Sequence, residues 1–253
     1  MYAAERQQWL LDRTRDRGRV DVAAVAEELD VTPETIRRDL GGLERQGLVR
    51  RVHGGAIPSD LLNFEPGVGQ RDSQYGAEKE RIAKAAVAEL GTAATILLDA
   101  GTTTSRLAGA LPRERDLTVV TNSLPIASSL AGRPNVHLRL LGGRVRGTTL
   151  ATVDDWANSV LADLVVDVAF LGTNSFSPTR GLTTPDPDEG ATKRAMLRAA
   201  RRSVVLADAS KFGADQFVRF GTPAEIDTLI TDTGLDPADA AALEAAGPKV
   251  VRA

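Results

Sequence analysis

Apolar positions along this chain follow two different rhythms, and the change falls near residue 57. In the first stretch Val22, Val25, Ala26 and Leu29 recur at i, i+3, i+4 and i+7, the spacing of one apolar helix face. Residues 5–17 read as a preceding helix that carries Trp9 and Leu10 and ends at Gly18. Asp30-Val31 makes a short turn. Thr32-Pro33 then supplies a capping hydroxyl and a first-turn proline. The helix they open places Ile36, Leu40 and Leu43 on one face and closes at Gly47. Residues 48–52, followed by His53-Gly54-Gly55, read as a small β-ribbon.

Residues 57–76 hold Pro58, Pro66, Gly67, Gly69 and Gly76 and keep no period, so they read as a connector. Gly67-Val68-Gly69 lacks the third glycine and the preceding strand of a dinucleotide fingerprint. From Glu78 onward strands and helices alternate. Ile82, Ala83, Ala86, Val87 and Leu90 mark a helix, and apolar runs follow at 95–98, 117–120, 136–141, 165–171, 203–207, 226–231 and 249–251. The expected fold is therefore α/β: a small helical unit with a ribbon (1–57), a linker (58–76), and an open, mainly parallel sheet with helices on both faces (77–253).

Composition narrows the chemistry. The chain has 253 residues, no cysteine and two histidines, His53 and His137, so disulfides, thiolate metal sites and a histidine zinc cluster are all excluded. No metal and no cofactor are expected. Neither a signal peptide nor a membrane-length apolar run is read, so a cytoplasmic protein is expected. Net charge is −3, and residues 1–57 balance ten Arg against ten Asp and Glu. Bulk electrostatics thus announces no nucleic-acid partner, and any such role must rest on where the charges sit.

They sit suggestively in TPETIRRDL, residues 32–40. With Ile36, Leu40 and Leu43 inward, the outer face carries Glu34, Arg38, Gly41 and Arg45, flanked by Thr35 and Arg37. An exposed helix with Arg in its N-terminal half suits the major groove, where Arg binds guanine O6 and N7 together. Arg50, Arg51 and His53 on the ribbon would meet phosphate or the minor groove, and Thr32 would sit at the helix start. The plainer reading makes Arg37 and Arg38 a solvated surface. Together with Leu43-Glu44-x-x-Gly47 and Arg51-Val52-His53-Gly54-Gly55-Ala56, this ordered set resembles the winged helix-turn-helix of DeoR-family bacterial repressors.

In an open parallel sheet, ligands bind beyond the carboxyl ends of the strands. There this chain places Asp99-Ala100-Gly101-Thr102-Thr103-Thr104, Thr121-Asn122-Ser123, Gly142-Gly143-Arg144, Gly172-Thr173-Asn174 and Asp208-Ala209-Ser210-Lys211. Glycine and hydroxyls at a helix start can cradle phosphate, though a Thr run also serves as an ordinary cap. Only five lysines occur, and Lys193 and Lys211 both fall in these segments. Lys211 is the stronger ligand candidate, because Lys193 could form an ordinary exposed ion pair with Glu189 four residues earlier. Asp99, Asp186 and Glu189 could accept hydrogen bonds from sugar hydroxyls. Trp156 is read as core or interface.

The same segments, with Leu141-Gly142-Gly143 and 169–172, are similar to the DeoR-family sensor domain, in the family's order. The resemblance implies a fold related to ribose-5-phosphate isomerase, a phosphorylated-sugar effector, double-stranded operator DNA and a homo-oligomer. Residues 183–189 and 233–239 most resemble actinobacterial regulators of fructose uptake, which implies a repressor released by fructose 1-phosphate, with fructose 1,6-bisphosphate or fructose 6-phosphate as alternatives. Asp154 and Ser175 stand where the family has glycine. The rival reading is a sugar-phosphate isomerase with an appended DNA-binding module, using Asp99, Asp186, Glu189 and Lys193 for acid–base chemistry.

Overall fold

The computed structural model describes residues 2–46, 48–52, 54–58, 65 and 67–253, which form two compact units, 1–66 and 67–253. In the first unit, helices α1 (Ala3–Arg17), α2 (Val22–Glu28) and α3 (Pro33–Arg45) surround a core of Leu10, Val25, Ile36, Leu40 and Leu43. Strands β1 (Val20–Asp21), β2 (Val49–Val52) and β3 (Gly55–Pro58) close it, with β3 between the other two and antiparallel to both. Gly55 is required there, because a Cβ would lie 1.9 Å from the Val20 carbonyl oxygen. Asp39, within the TPETIRRDL segment, is buried and faces inward. It accepts hydrogen bonds from Arg6 Nε at 2.5 Å and Gln7 Nε2 at 3.3 Å, which binds α3 to α1. Gly47, expected to close α3, and His53 lie outside the described residues.

The second unit opens with a correction. The connector contains a helix, α4 (Val68–Ser73), and α5 (Gly76–Ala88) begins within its expected limit. Beyond them come β4 (Thr95–Leu98), α6 (Thr102–Ala110), β5 (Leu117–Thr121), α7 (Leu124–Leu130), β6 (Val136–Leu140), β7 (Arg144–Arg146), β8 (Ala151–Val153) and α8 (Asp155–Ala162). The chain continues through β9 (Val168–Gly172), β10 (Ser175–Ser177), β11 (Gly181–Thr184), α9 (Pro187–Ala199), β12 (Ser203–Leu206), β13 (Val218–Gly221), β14 (Thr228–Thr231), α10 (Pro237–Ala245) and β15 (Lys249–Arg252).

Seven strands make one sheet in the order β15-β14-β12-β9-β4-β5-β6, and every pairing is parallel. All seven expected runs supply one strand each. The side-chain alternation of a strand divides each run between two cores. Ile96 and Leu98 face α5, α6 and α7, whereas Leu97 joins Leu161, Met196 and Leu243 of α8, α9 and α10. From β4 the chain winds outward through β5 and β6, then returns to lay β9 on the other side of β4. The sheet therefore reverses direction between β4 and β9, and a crevice opens at the carboxyl ends of that pair. At the opposite end, the Asp167 carboxylate accepts from Ala94 N, Thr95 N and Thr95 Oγ1 at 2.8–3.0 Å. These bonds pin β4 to β9 and hold the carboxyl below its usual pKa range.

Candidate functional site

The crevice is a cavity lined by three strand ends: Ala100–Thr104 after β4, Gly172–Asn174 after β9, and 206–208 with Lys211 after β12. Gly101 caps α6 without a side chain, so no side chain covers the first-turn N–H groups of Thr102, Thr103 and Thr104. Thr104 Oγ1 donates back to the Gly101 carbonyl at 3.0 Å, which tightens the turn.

Four basic side chains line this space, Arg71, Lys79, Lys193 and Lys211, against two acidic ones, Glu189 and Asp208. Lys193 is 2% exposed. It donates to Asp99 Oδ2 and to the Gly172 carbonyl at 3.1 Å, and pairs with Glu189 Oε1 at 3.6 Å. The expected surface pair is thus a buried network. Glu189 is further held by Arg146 and by Thr149 Oγ1 at 3.3 Å. Asp99 is fully buried behind Lys193. Its Oδ2 also accepts from Gly172 N at 3.0 Å, while Oδ1 has no hydrogen-bond partner among the described residues.

Lys79 and Arg71 were missed from the sequence. Lys79, on α5, is 4% exposed and donates to the Arg71 carbonyl and to the Gln74 carbonyl at 2.8 Å, which fastens α4 to the cavity wall. Burial lowers its pKa from 10.5 to about 8. The Asp208 carboxylate opposes that fall, and Lys211 and Arg106 add to it. The wall thus carries a cation whose charge is costly to keep where it sits.

Several expected ligand residues do not line the cavity. Asn122 braces the loop from behind, accepting from Ala100 N at 2.9 Å and donating to the Thr152 carbonyl at 3.2 Å. Ser123 caps α7 through Ile126 N. Gly142 and Gly143 form the turn into β7, where Gly143 has φ +125° and a Cβ would meet the Val153 carbonyl oxygen. Asp186 caps α9 through Glu189 N at 2.9 Å and pairs with Arg146 at 3.1 Å. All five residues lie outside the cavity lining, and Asn122 and Asp186 brace it through Ala100 and Glu189. Asp154 takes a left-handed φ of +92°, the conformation glycine favours, and its carboxylate accepts from Arg144 N and Trp156 N at 2.8 and 2.9 Å. Neither Asp154 nor Ser175 lines the cavity.

In the first unit, α3 presents exposed Glu34, Arg37, Arg38 and Arg45, with Arg37 and Glu34 paired at 3.1 Å. Thr32 caps α3 through Thr35 N, and the two hydroxyls lie 2.9 Å apart. Arg51 N donates to Glu44 at 2.9 Å, which fixes the ribbon to the end of α3. Arg50 follows β2 in backbone register with Ile57, and its side chain, like His53, lies outside the described residues.

These two units coincide with two known families. Residues 6–60 match the DeoR-like helix-turn-helix domain, and residues 74–233 match the DeoR C terminal sensor domain. The chain belongs to the DeoR family. It is 38% identical over 251 residues to the HTH-type transcriptional regulator GlpR of Haloferax volcanii, covering 99% of this chain and 98% of that protein. The uncharacterized HTH-type transcriptional regulator FruR of Bacillus subtilis is 34% identical, with 92% of each chain covered. The glycerol-3-phosphate regulon repressor of Escherichia coli K12 is 31% identical, again over 92% of each. This DeoR protein is thus a DNA-binding transcriptional regulator in which a helix-turn-helix unit precedes a sensor unit. Among its described residues, no three or more His, Asp and Glu gather as metal ligands, and no helix is long and apolar enough to cross a membrane.

Proposed function

We propose that this regulator represses a sugar uptake and catabolism operon and leaves its operator when a phosphorylated sugar enters the sensor cavity. The basic excess around the open first turn of α6 carries the reading. A phosphate monoester accepts from helix N–H groups and from lysine together, and a neutral sugar brings no charge for either to meet. Lys211 and Lys79 hold the phosphate, and Glu189 and Asn174 meet the sugar hydroxyls. Arg38 and Arg45 on α3 read base edges, and Arg50, Arg51 and His53 on the ribbon hold the DNA backbone. Arg71 and Lys79 belong to α4 and α5, the first helices after the segment joining the units, so an anion there acts on the part of the sensor nearest in sequence to the DNA-binding unit.

The favoured effector is fructose 1-phosphate, supported by the resemblance of residues 183–189 and 233–239 to regulators of fructose uptake. Glycerol 3-phosphate is the competitor, because one relative is named as its regulon's repressor. Thermal melting separates them. At one hundred times its dissociation constant the true effector stabilises the fold by about 2.7 kcal/mol. Fructose 1-phosphate should raise Tm more than glycerol 3-phosphate at equal concentration, and free fructose should not raise it. A response to free fructose alone refutes the phosphate reading. Ribose 5-phosphate should not be isomerised, because Lys193 is neutralised by Asp99 and Glu189 and serves to shape the wall.

A further inference from the structure

Trp156 is one of only two tryptophans in a chain whose aromatic content is 4%, and it lies 76% exposed on α8. The sequence allowed core or interface for it, and the structure removes core. Val160 stands one helical turn further on at 48% exposure, and Val165 follows just past the helix at 67%. On the other side of the same helix, a groove between α8 and α9 is floored by Leu161, Leu164, Ala191 and Ala195 and edged by Asn158, Arg194 and Arg198. An apolar ridge and a groove with an apolar floor therefore flank one short helix. Water is a poor partner for both, and an exposed tryptophan beside a valine ridge is the composition of an interface anchor.

We propose that this face, α8 with the adjoining α9 groove, is where a second copy of the chain docks. Two features select a copy over an unrelated partner. A two-fold interface must be self-complementary, since each patch meets its own image. Here ridge and groove flank the same short helix, so two copies that meet about α8 can bury both kinds of surface twice. Charge is arranged the same way. Exposed Asp155 and Asp163 lie along the ridge, Arg198 edges the groove, and none of the three has an ion-pair partner among the described residues. An acidic ridge and a basic rim attract between copies and repel between like edges. The groove shares no lining residue with the sensor cavity.

The mass of the full-length protein, followed by light scattering across a dilution series, tests the proposal. Wild type should be a dimer or a multiple of one at micromolar concentration. Trp156→Glu and Val160→Glu should each raise the dissociation constant at least about 30-fold, as losing a central anchor does. Far-ultraviolet circular dichroism should stay unchanged, because both side chains are exposed within the chain. Trp9→Phe leaves Trp156 as the single fluorophore, and its emission should shift to the red on dilution. A monomeric wild type, or variants with wild-type mass at every concentration, overturns the proposal. So does Trp156 emission that is already water-exposed in an intact oligomer.

Discussion

The two units of this chain use positive charge in opposite ways. On α3 the guanidinium groups of Arg37, Arg38 and Arg45 stand in solvent, and the helix beneath them is held by Ile36, Leu40 and buried Asp39. In the sensor unit Lys79 and Lys193 are 4% and 2% exposed, and each is built into the packing by fixed hydrogen bonds. Solvated arginines suit a large polyanion met at a surface, where many weak contacts sum and salt competes. Buried lysines suit one small anion, because desolvation makes each contact strong and position decides which anion fits. The difference lies in burial, and residue counts alone do not show it.

Breaking the buried side should cost the most. Lys193→Ala leaves Asp99 inside the protein without its cation and Glu189 with Arg146 alone, a loss of about 3–5 kcal/mol. Urea unfolding of the sensor unit should show it as a large fall in midpoint. A variant with the wild-type midpoint would mean the network is not buried as described. Arg38→Ala, on the solvated side, should leave that midpoint within about 0.5 kcal/mol of wild type. It should instead cost about 1–3 kcal/mol of discrimination between operator and non-operator DNA. Unchanged discrimination would put the base-reading face elsewhere on α3.

A smaller effect sharpens the comparison through pH. Lys79 has a folded pKa of about 8 against an ordinary 10.5, so its penalty on stability is fully present below pH 8 and is relieved as pH rises towards 10.5. An anion beside Lys79 raises that pKa, so binding takes up a proton. Affinity for a phosphate monoester should therefore fall as pH rises through 8, by at most about tenfold per unit for one proton. Calorimetry in two buffers of different ionisation enthalpy would detect the proton. Equal enthalpies at pH 8.5 would exclude Lys79 from the phosphate site.

The two units also differed in how much their sequence disclosed. TPETIRRDL puts cap, core face and arginines within nine residues, so that local pattern was enough to place α3, although Asp39's inward role needed Arg6 from another helix. The seven strands were readable because parallel strands buried on both faces form continuous apolar runs. The cavity was only partly legible, because it is assembled from segments up to 140 residues apart, Arg71 to Lys211. Gly101–Thr104 and Lys211 sit at strand ends, where topology alone predicts a site. Asn122 and Ser123 also follow a strand, but β5 lies outside the reversing pair, so they brace the neighbouring loop and α7. Lys79 left a signal that went unused: it precedes Ile82 by three and Ala83 by four, which puts a lysine on an apolar helix face. α4 gave none, since six residues cannot establish a helical period.

The central claim is that the sensor cavity takes a phosphorylated sugar and thereby releases DNA. Fluorescence anisotropy of the operator upstream of the protein's own gene tests it most directly, with wild type and Lys211→Ala each titrated with and without fructose 1-phosphate. Wild type should lose operator affinity by about 5- to 150-fold with the sugar phosphate, the usual span of coupling between two sites. Lys211→Ala should bind the operator as wild type does and fail to respond. If the folded variant loses operator binding without any sugar, or if free fructose releases wild type as well as its phosphate does, the account of the two units is wrong.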